Sequence, residues 1–364
     1  MKHTSPPSAT GDEALTARRL TVEDDMRAFN VRARAEGWTD GLPLYPPTEA
    51  AVRALLDAAP SRPSDVIGTL APKNRDATVE YAAINAAMAG VEPEGFPWLI
   101  AALEAICEAP FSLYGVSTTT GSVIPMVIAN GPGRDRAGID ARDGCMGGAG
   151  GIGSATIGRA LALCMRNIGG QKVGDTSRSV FGQPARAAGL CFAEWEEQSP
   201  WPSLAEQRGF SPTDDVVTVH GGMGTHPMAD INCDDARELL ALLAKSISFP
   251  LCNKFLAPTA GKGETVVAIN PEWARRFGVE FPKVEDCQAY LHQHAWQPIE
   301  AWPPSGRAIL ERKDRVDTNG LVWLNERPDQ IVLVVCGGLG NLHAVSLPSW
   351  ADSEMVSRTV ARRG

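Results

Sequence analysis

Apolar residues in the first hundred positions recur at helical spacing, and the breaks between them carry helix-ending signals. Thr21 followed by Asp24 resembles a capping box, and Met26, Phe29 and Val31 continue at the spacing of one buried face, so a helix is expected there. Thr48 is placed to cap a second helix reaching about Ala58; two more are expected at Ala77 to Ala89 and Phe96 to Glu108. Gly90 closes the first of these, and Pro93 and Pro97 open the second. Beyond Pro110 the pattern shortens to runs suited to strands: Leu113 to Thr120, Val123 to Ala129, Ala188 to Ala193, Val216 to His220 and Thr265 to Asn270. Helices are expected at Cys233 to Ser246, Pro271 to Phe277 and Val284 to His294. The wholly apolar Gln330 to Cys336 suits a strand buried on both faces and ends in Gly337-Gly-Leu-Gly.

Interleaved helices and strands predict an α/β fold. A helical portion, residues 19–110, would pack on a mixed sheet in 111–364, with glycine-rich loops at strand ends and one integrated unit as the result. Residues 1–18, rich in Pro, Ser and Thr, are expected to be disordered. No internal repeat and no long linker is evident.

The densest chemical signal lies between two of these elements. Gly144, Gly147, Gly148, Gly150, Gly151 and Gly153 precede the helical run from Ser154 to Arg166, so backbone N–H groups and a helix dipole would face one cavity. An anion fits that description. Gly150, Gly151, Gly153, Ser154 and Thr156 would hold it, Arg159 one turn on would add a bidentate clamp, and Thr119 would line the same space. Gly148-Ala-Gly-Gly-Ile-Gly153 also spells G-x-G-x-x-G, which makes an NAD(P)-dependent oxidoreductase the alternative. The polar stretch 138–145 before it and the loop 169–175 after the helix do not supply the flanking strands a dinucleotide site needs.

Composition narrows the partners. The chain of 364 residues has a net charge of −9 and no block of basic residues, which argues against nucleic acid and anionic membranes and favours a small molecule. No apolar stretch has the length of a membrane span or a secretory signal, so a cytoplasmic protein is expected, with a homo-oligomer as the expected assembly. Eight cysteines are scattered without a C-x-x-C, which speaks against a metal knuckle or a dithiol motif. Cys145 differs from the rest because a glycine loop at a helix start lowers a thiol pKa, and it is a candidate nucleophile.

His220 and His226 flank a glycine turn after a predicted strand, with Asp230 nearby. They are candidates for general acid/base work, and the three together for a divalent metal; the cofactor is otherwise left open by the sequence. His343, beyond the last glycine turn, is a candidate proton donor. Glu194, beside Trp195 at a strand end, would have a raised pKa if the indole buried it, as a general acid needs.

Three segments, Glu36-Gly-Trp-Thr-Asp-Gly-Leu-Pro43, Ala155 to Leu163 with Asn167-Ile-Gly-Gly170, and Val334 to His343, resemble a group of bacterial proteins labelled thioredoxin-like and related to the UGSC selenoprotein group. The likeness spans nearly the whole chain, although the Sec/Cys-Gly-Ser-Cys tetrapeptide is absent. It implies one integrated unit with metabolic enzymes as relatives. Together these features lead us to expect a hydrolase or a lyase acting on a small organic carboxylate, with His220 or His226 as base, Glu194 or His343 as acid and Cys145 as nucleophile. A non-catalytic ligand-binding or assembly subunit is the third reading.

Overall fold

The computed structural model describes residues 13–256, 262–340, 343–350 and 353–362; residues 1–12 of the expected disordered tail lie outside them. The tail's last residues are tied down, since the backbone N–H groups of Thr16 and Ala17 donate to the buried Glu80 carboxylate. The N-terminal helices are α1 (Met26–Ala35), α2 (Glu49–Ala58), α3 (Val79–Ala89) and α4 (Phe96–Cys107), with a hairpin of β1 (Val66–Leu70) and β2 (Arg75–Thr78) between α2 and α3. Asp25, not Thr21, caps α1. Thr48 and Thr78 cap α2 and α3, and Gly90 closes α3 at φ 84°, a conformation that costs a residue with a Cβ about 1 kcal/mol or more. The expected strand from Leu113 is instead a short helix, α5 (Leu113–Thr118). Its β-branched residues lose to burial of Leu113 and Val116 against α4 and its neighbours.

Two four-stranded sheets carry the rest of the fold. The first half supplies β3 (Ile124–Asn130), α6 (Ile152–Asn167), α7 (Pro184–Ala188), β4 (Leu190–Ala193), α8 (Leu204–Gln207), β5 (Val216–Gly222) and β6 (His226–Ala229). The second supplies α9 (Ala236–Ile247), β7 (Thr265–Ile269), α10 (Pro271–Glu280), α11 (Val284–His294), β8 (Trp296–Pro298), α12 (Pro304–Arg312), β9 (Leu321–Trp323), β10 (Ile331–Val335), β11 (His343–Leu347) and β12 (Val356–Thr359). The strand orders are β4-β3-β5-β12 and β10-β7-β11-β6.

These orders are the same topology used twice. β3 runs parallel to β4 and antiparallel to β5, and β7 does the same with β10 and β11. Register agrees as well: Met126 faces His220 where Val266 faces Leu347, and Ala129 faces Ala193 where Ile269 faces Val335. Each half sends its last strand to the other sheet, β12 adding to β5 and β6 to β11. The crossing is reciprocal, with Met223 N donating to Pro348 O at 2.7 Å and Trp350 N to Gly221 O at 2.8 Å. The molecule is thus an internal duplication, which the sequence alone did not reveal because the repeat lies in strand order and pairing. Of the equivalent strand positions only Val127 with Val267 and Asn130 with Asn270 are identical, the asparagines each just after the strand's apolar run.

The strands of both sheets alternate between two buried environments, so they read as continuous apolar runs. Val127 and Ala129 meet α3, α4 and α6, whereas Ile124, Met126 and Ile128 face Val266, Ala268, Val332 and Val334 across the gap between the sheets. Val267, Ile269 and Leu333 in turn meet α9, α10 and α11. Helices, sheet, sheet, helices is the layering, an α/β fold with the helical N-terminal portion covering the first sheet. No single helix among the described residues is long and apolar enough to cross a membrane.

Candidate functional site

The chain between β3 and α6 leaves its own sheet and straps across the ends of β4 and β10. Two backbone bonds fix it there, Ala193 N to Asp140 O at 2.9 Å and Gly337 N to Ala141 O at 2.7 Å, while Trp195 N to Val335 O at 2.7 Å ties the ends of the two strands together. Cys145 begins a single turn of tight helix, Cys145–Gly147, between Gly144 and Gly148, both left-handed. Opposite it, Cys336 continues β10 by one residue, donating to Ile269 O at 3.0 Å, and Gly337 turns the chain away at φ 89°. A Cβ at Gly338 would displace the Asp143 carboxylate from its place against the turn.

The result is a cavity of about 330 Å³ whose wall includes Cys145, Cys336, Asn270, Asp143 and His343. Asn270 holds its rim in shape. Its backbone N–H donates to His343 O at 3.1 Å, its amide Nδ2 to Gly340 O at 2.9 Å, and its Oδ1 accepts from Trp273 N at the start of α10.

The two thiols are neighbours in this wall and differ in acidity. The Cys336 thiol hydrogen-bonds the Cys145 sulfur and lowers its pKa; the Gly337 and Met146 N–H groups act the same way, against burial and the Asp140 charge. Cys336 is pushed well above the ordinary thiol range by the same contact, by burial and by the Cys145 and Glu194 charges. Cys145 is therefore the more acidic of the two thiols and Cys336 the one that keeps its proton. Glu194, fully buried behind this wall at the end of β4, has its pKa raised to about 7 by burial, although Asn130 Nδ2 at 2.7 Å and Leu204 N at 2.8 Å both donate to its Oε2.

Of the residues singled out from sequence, the structure brings Cys145 and His343 into one cavity, with Glu194 in electrostatic reach of its inner thiol. His220 lies apart. It is fully buried between the sheets, its ring bonded to Leu347 O at 2.9 Å through Nε2, and desolvation lowers its pKa to about 4, which makes it a neutral core residue. His226 sits on β6 with its ring 5.0 Å from Phe249, and the Asp230 carboxylate accepts from the Asn232 and Cys233 N–H groups. No group of three or more His, Cys, Asp or Glu among the described residues is arranged to hold a metal, and His220, His226 and Asp230 are not gathered as such a site would require.

The start of α6 is not the open anion cradle its glycines suggest. Gly153 N and Ser154 N both donate to Gly138 O, and Ser154 Oγ accepts from Asp140 N at 2.8 Å. Gly150, Gly151 and Gly153 are needed for close packing, since a Cβ on any of them would strike Asp140, Gly138 or Ala137. Thr156 Oγ1 donates to Ile152 O, Thr119 Oγ1 accepts from Gly121 N, and Arg159 is bound to Asp40 at 2.9 Å and to Pro43 O at 2.8 Å. These polar groups serve the fold. Cys336 is the residue sequence reasoning passed over, because pairing between cysteines was sought in spacing along the chain. A buried strand ending in Cys-Gly-Gly was the available signal. No family model, no curated protein and no solved structure matches the chain.

Proposed function

We propose that the chain is an enzyme acting on a small organic molecule through the Cys145 thiolate, in hydrolytic or lyase chemistry. The observation that carries this reading is the Cys145 sulfur, lowered in pKa and lining a cavity of about 330 Å³ opposite a thiol donor. Cys145 attacks an electrophilic carbon and the leaving group departs from it; the Met146 N–H group, which favours the Cys145 thiolate, is a donor near the charge; His343 on the same wall gives a proton to the leaving group and takes one from the water that releases the product. A carboxylate on the substrate would be held at this wall, because the α6 N–H groups are already bonded. A cytoplasmic location suits a nucleophile that has to stay reduced.

Cys145 is expected to react with iodoacetamide at pH 7 on the order of tenfold faster than an ordinary exposed thiol, with the rate falling as Cys145 is protonated. Peptide mapping identifies the alkylated residue. Cys145→Ser is expected to abolish that reaction and to lower turnover of any substrate found in a panel of small esters, amides and hydroxy acids by at least about 100-fold. Alkylation that maps elsewhere, or a fully active Cys145→Ser, sinks the reading.

A further inference from the structure

We propose that Cys145 and Cys336 form a dithiol–disulfide couple that reduces low-molecular-weight disulfides bound in the cavity. The proposal rests on the reading of Cys145 as the reactive thiol and adds a reaction to it. Its basis is placement: the two cysteines come from different halves of the duplicated fold, share one cavity wall and belong to the same buried cluster between the sheets. Both are free thiols in this structure, and the wall they share is in reach of a small molecule.

Geometry favours closure. Gly144 and Gly147–Gly148 bracket Cys145, and an added Cβ at Gly144 or Gly147 would meet no neighbouring atom within 4 Å. The turn carrying Cys145 thus has room for the shift that brings its sulfur to the S–S distance of about 2 Å from that of Cys336. Cys336, on the end of a strand, is the fixed partner.

The exchange balances without a further reagent. The Cys145 thiolate attacks one sulfur of the disulfide R–S–S–R, forming a Cys145–S–S–R bond and breaking the original S–S bond. The departing thiolate takes the proton of the adjacent Cys336 thiol and leaves as R–SH. The Cys336 thiolate so formed attacks the Cys145 sulfur, closes the internal disulfide and expels the second R–S⁻, which is protonated by solvent. Two protein thiols are oxidised and one small disulfide is reduced to two thiols.

The test uses hydroxyethyl disulfide with the whole chain. Wild type is expected to release two thiols per chain and to lose two hydrogens in mass, with peptide mapping joining Cys145 to Cys336. Cys336→Ser, which keeps a hydrogen-bond donor, is expected to release one thiol and to hold the adduct on Cys145; Cys336→Ala serves as a second variant should the serine perturb folding. Wild type stopping at a stable Cys145 adduct, or closing the disulfide equally fast in a chain carrying Cys145→Ser through other cysteines, overturns the proposal. Iodoacetamide separates the two claims. Fast alkylation of Cys145 in Cys336→Ser together with a wild type that never closes the bond removes the couple and leaves the nucleophile standing.

Discussion

The two sheets share strand order, direction and register, yet their corresponding ends are used in opposite ways. At the end of the first, Asn130 and Glu194 meet in a closed polar cluster: Asn130 Nδ2 also donates to Glu196 at 2.9 Å, and the buried Arg134 binds Glu197 and Gly131 O. At the end of the second, the same two positions hold Asn270 and Cys336 beside a cavity. The difference is local chemistry on one scaffold. A charged side chain at the strand end needs partners that fill the space, whereas a thiol and a glycine turn leave it open.

The largest effect on the closed end is expected from Arg134→Ala. It removes a buried guanidinium from the half-buried Glu196, the exposed Glu197 and the Gly131 carbonyl, and a loss of roughly 2 to 3 kcal/mol in unfolding free energy is expected by urea titration. A loss below about 1 kcal/mol would mean that water enters the cluster and that the two ends are less different than they look.

Glu194→Gln sharpens the contrast through pH. A carboxyl raised to about 7 binds its proton more tightly folded than unfolded, so its contribution is intact below about pH 4.5 and is lost as pH climbs toward 7. The loss amounts to about 3 kcal/mol at most. Both of its hydrogen bonds use Oε2, so a glutamine oxygen can replace it, and the variant is expected to gain on wild type at pH 8 while matching it near pH 4.5. Denaturation midpoints at the two pH values check this; parallel curves would refute it.

His220→Leu makes the halves alike, since Leu347 holds the corresponding position, and is expected to have the smallest effect. At pH 7 the histidine is neutral and the change is expected to be within about 1 kcal/mol, one hydrogen bond being lost along with a buried Nδ1 that has no partner. Because the folded pKa is depressed to about 4, wild-type stability falls as pH drops from 6.5 to 4, and the leucine variant is expected to lack that decline. An unchanged acid limb would show that His220 is not its cause.

Much of this was legible in the sequence. Residues Val284 to His294 form the expected helix, and Thr265-Val-Val-Ala-Ile-Asn270 followed by Pro271 forms the expected strand-to-helix step, because burial pattern and caps agree at those places. Strands β6, β11 and β12 escaped notice: each is short, and each exists because a distant strand offers it hydrogen bonds. The glycines after Cys145 were read as an exposed cradle for the same reason, their covering carbonyls being set by tertiary packing. Cys145 and His343 were visible one by one, but their meeting with Cys336 depends on a strap crossing between sheets that no local pattern encodes.

The exchanged edge strands bear on how the molecule is made. The first sheet is completed by Val356–Thr359, far along the chain from the β5 it pairs with, and the second borrows His226–Ala229 from a segment that precedes the other three strands of that sheet. Neither half can cover all its strand edges by itself, so the two sheets have to reach their final form together, and a piece of the chain holding one half alone would leave a strand edge open to pairing with other molecules.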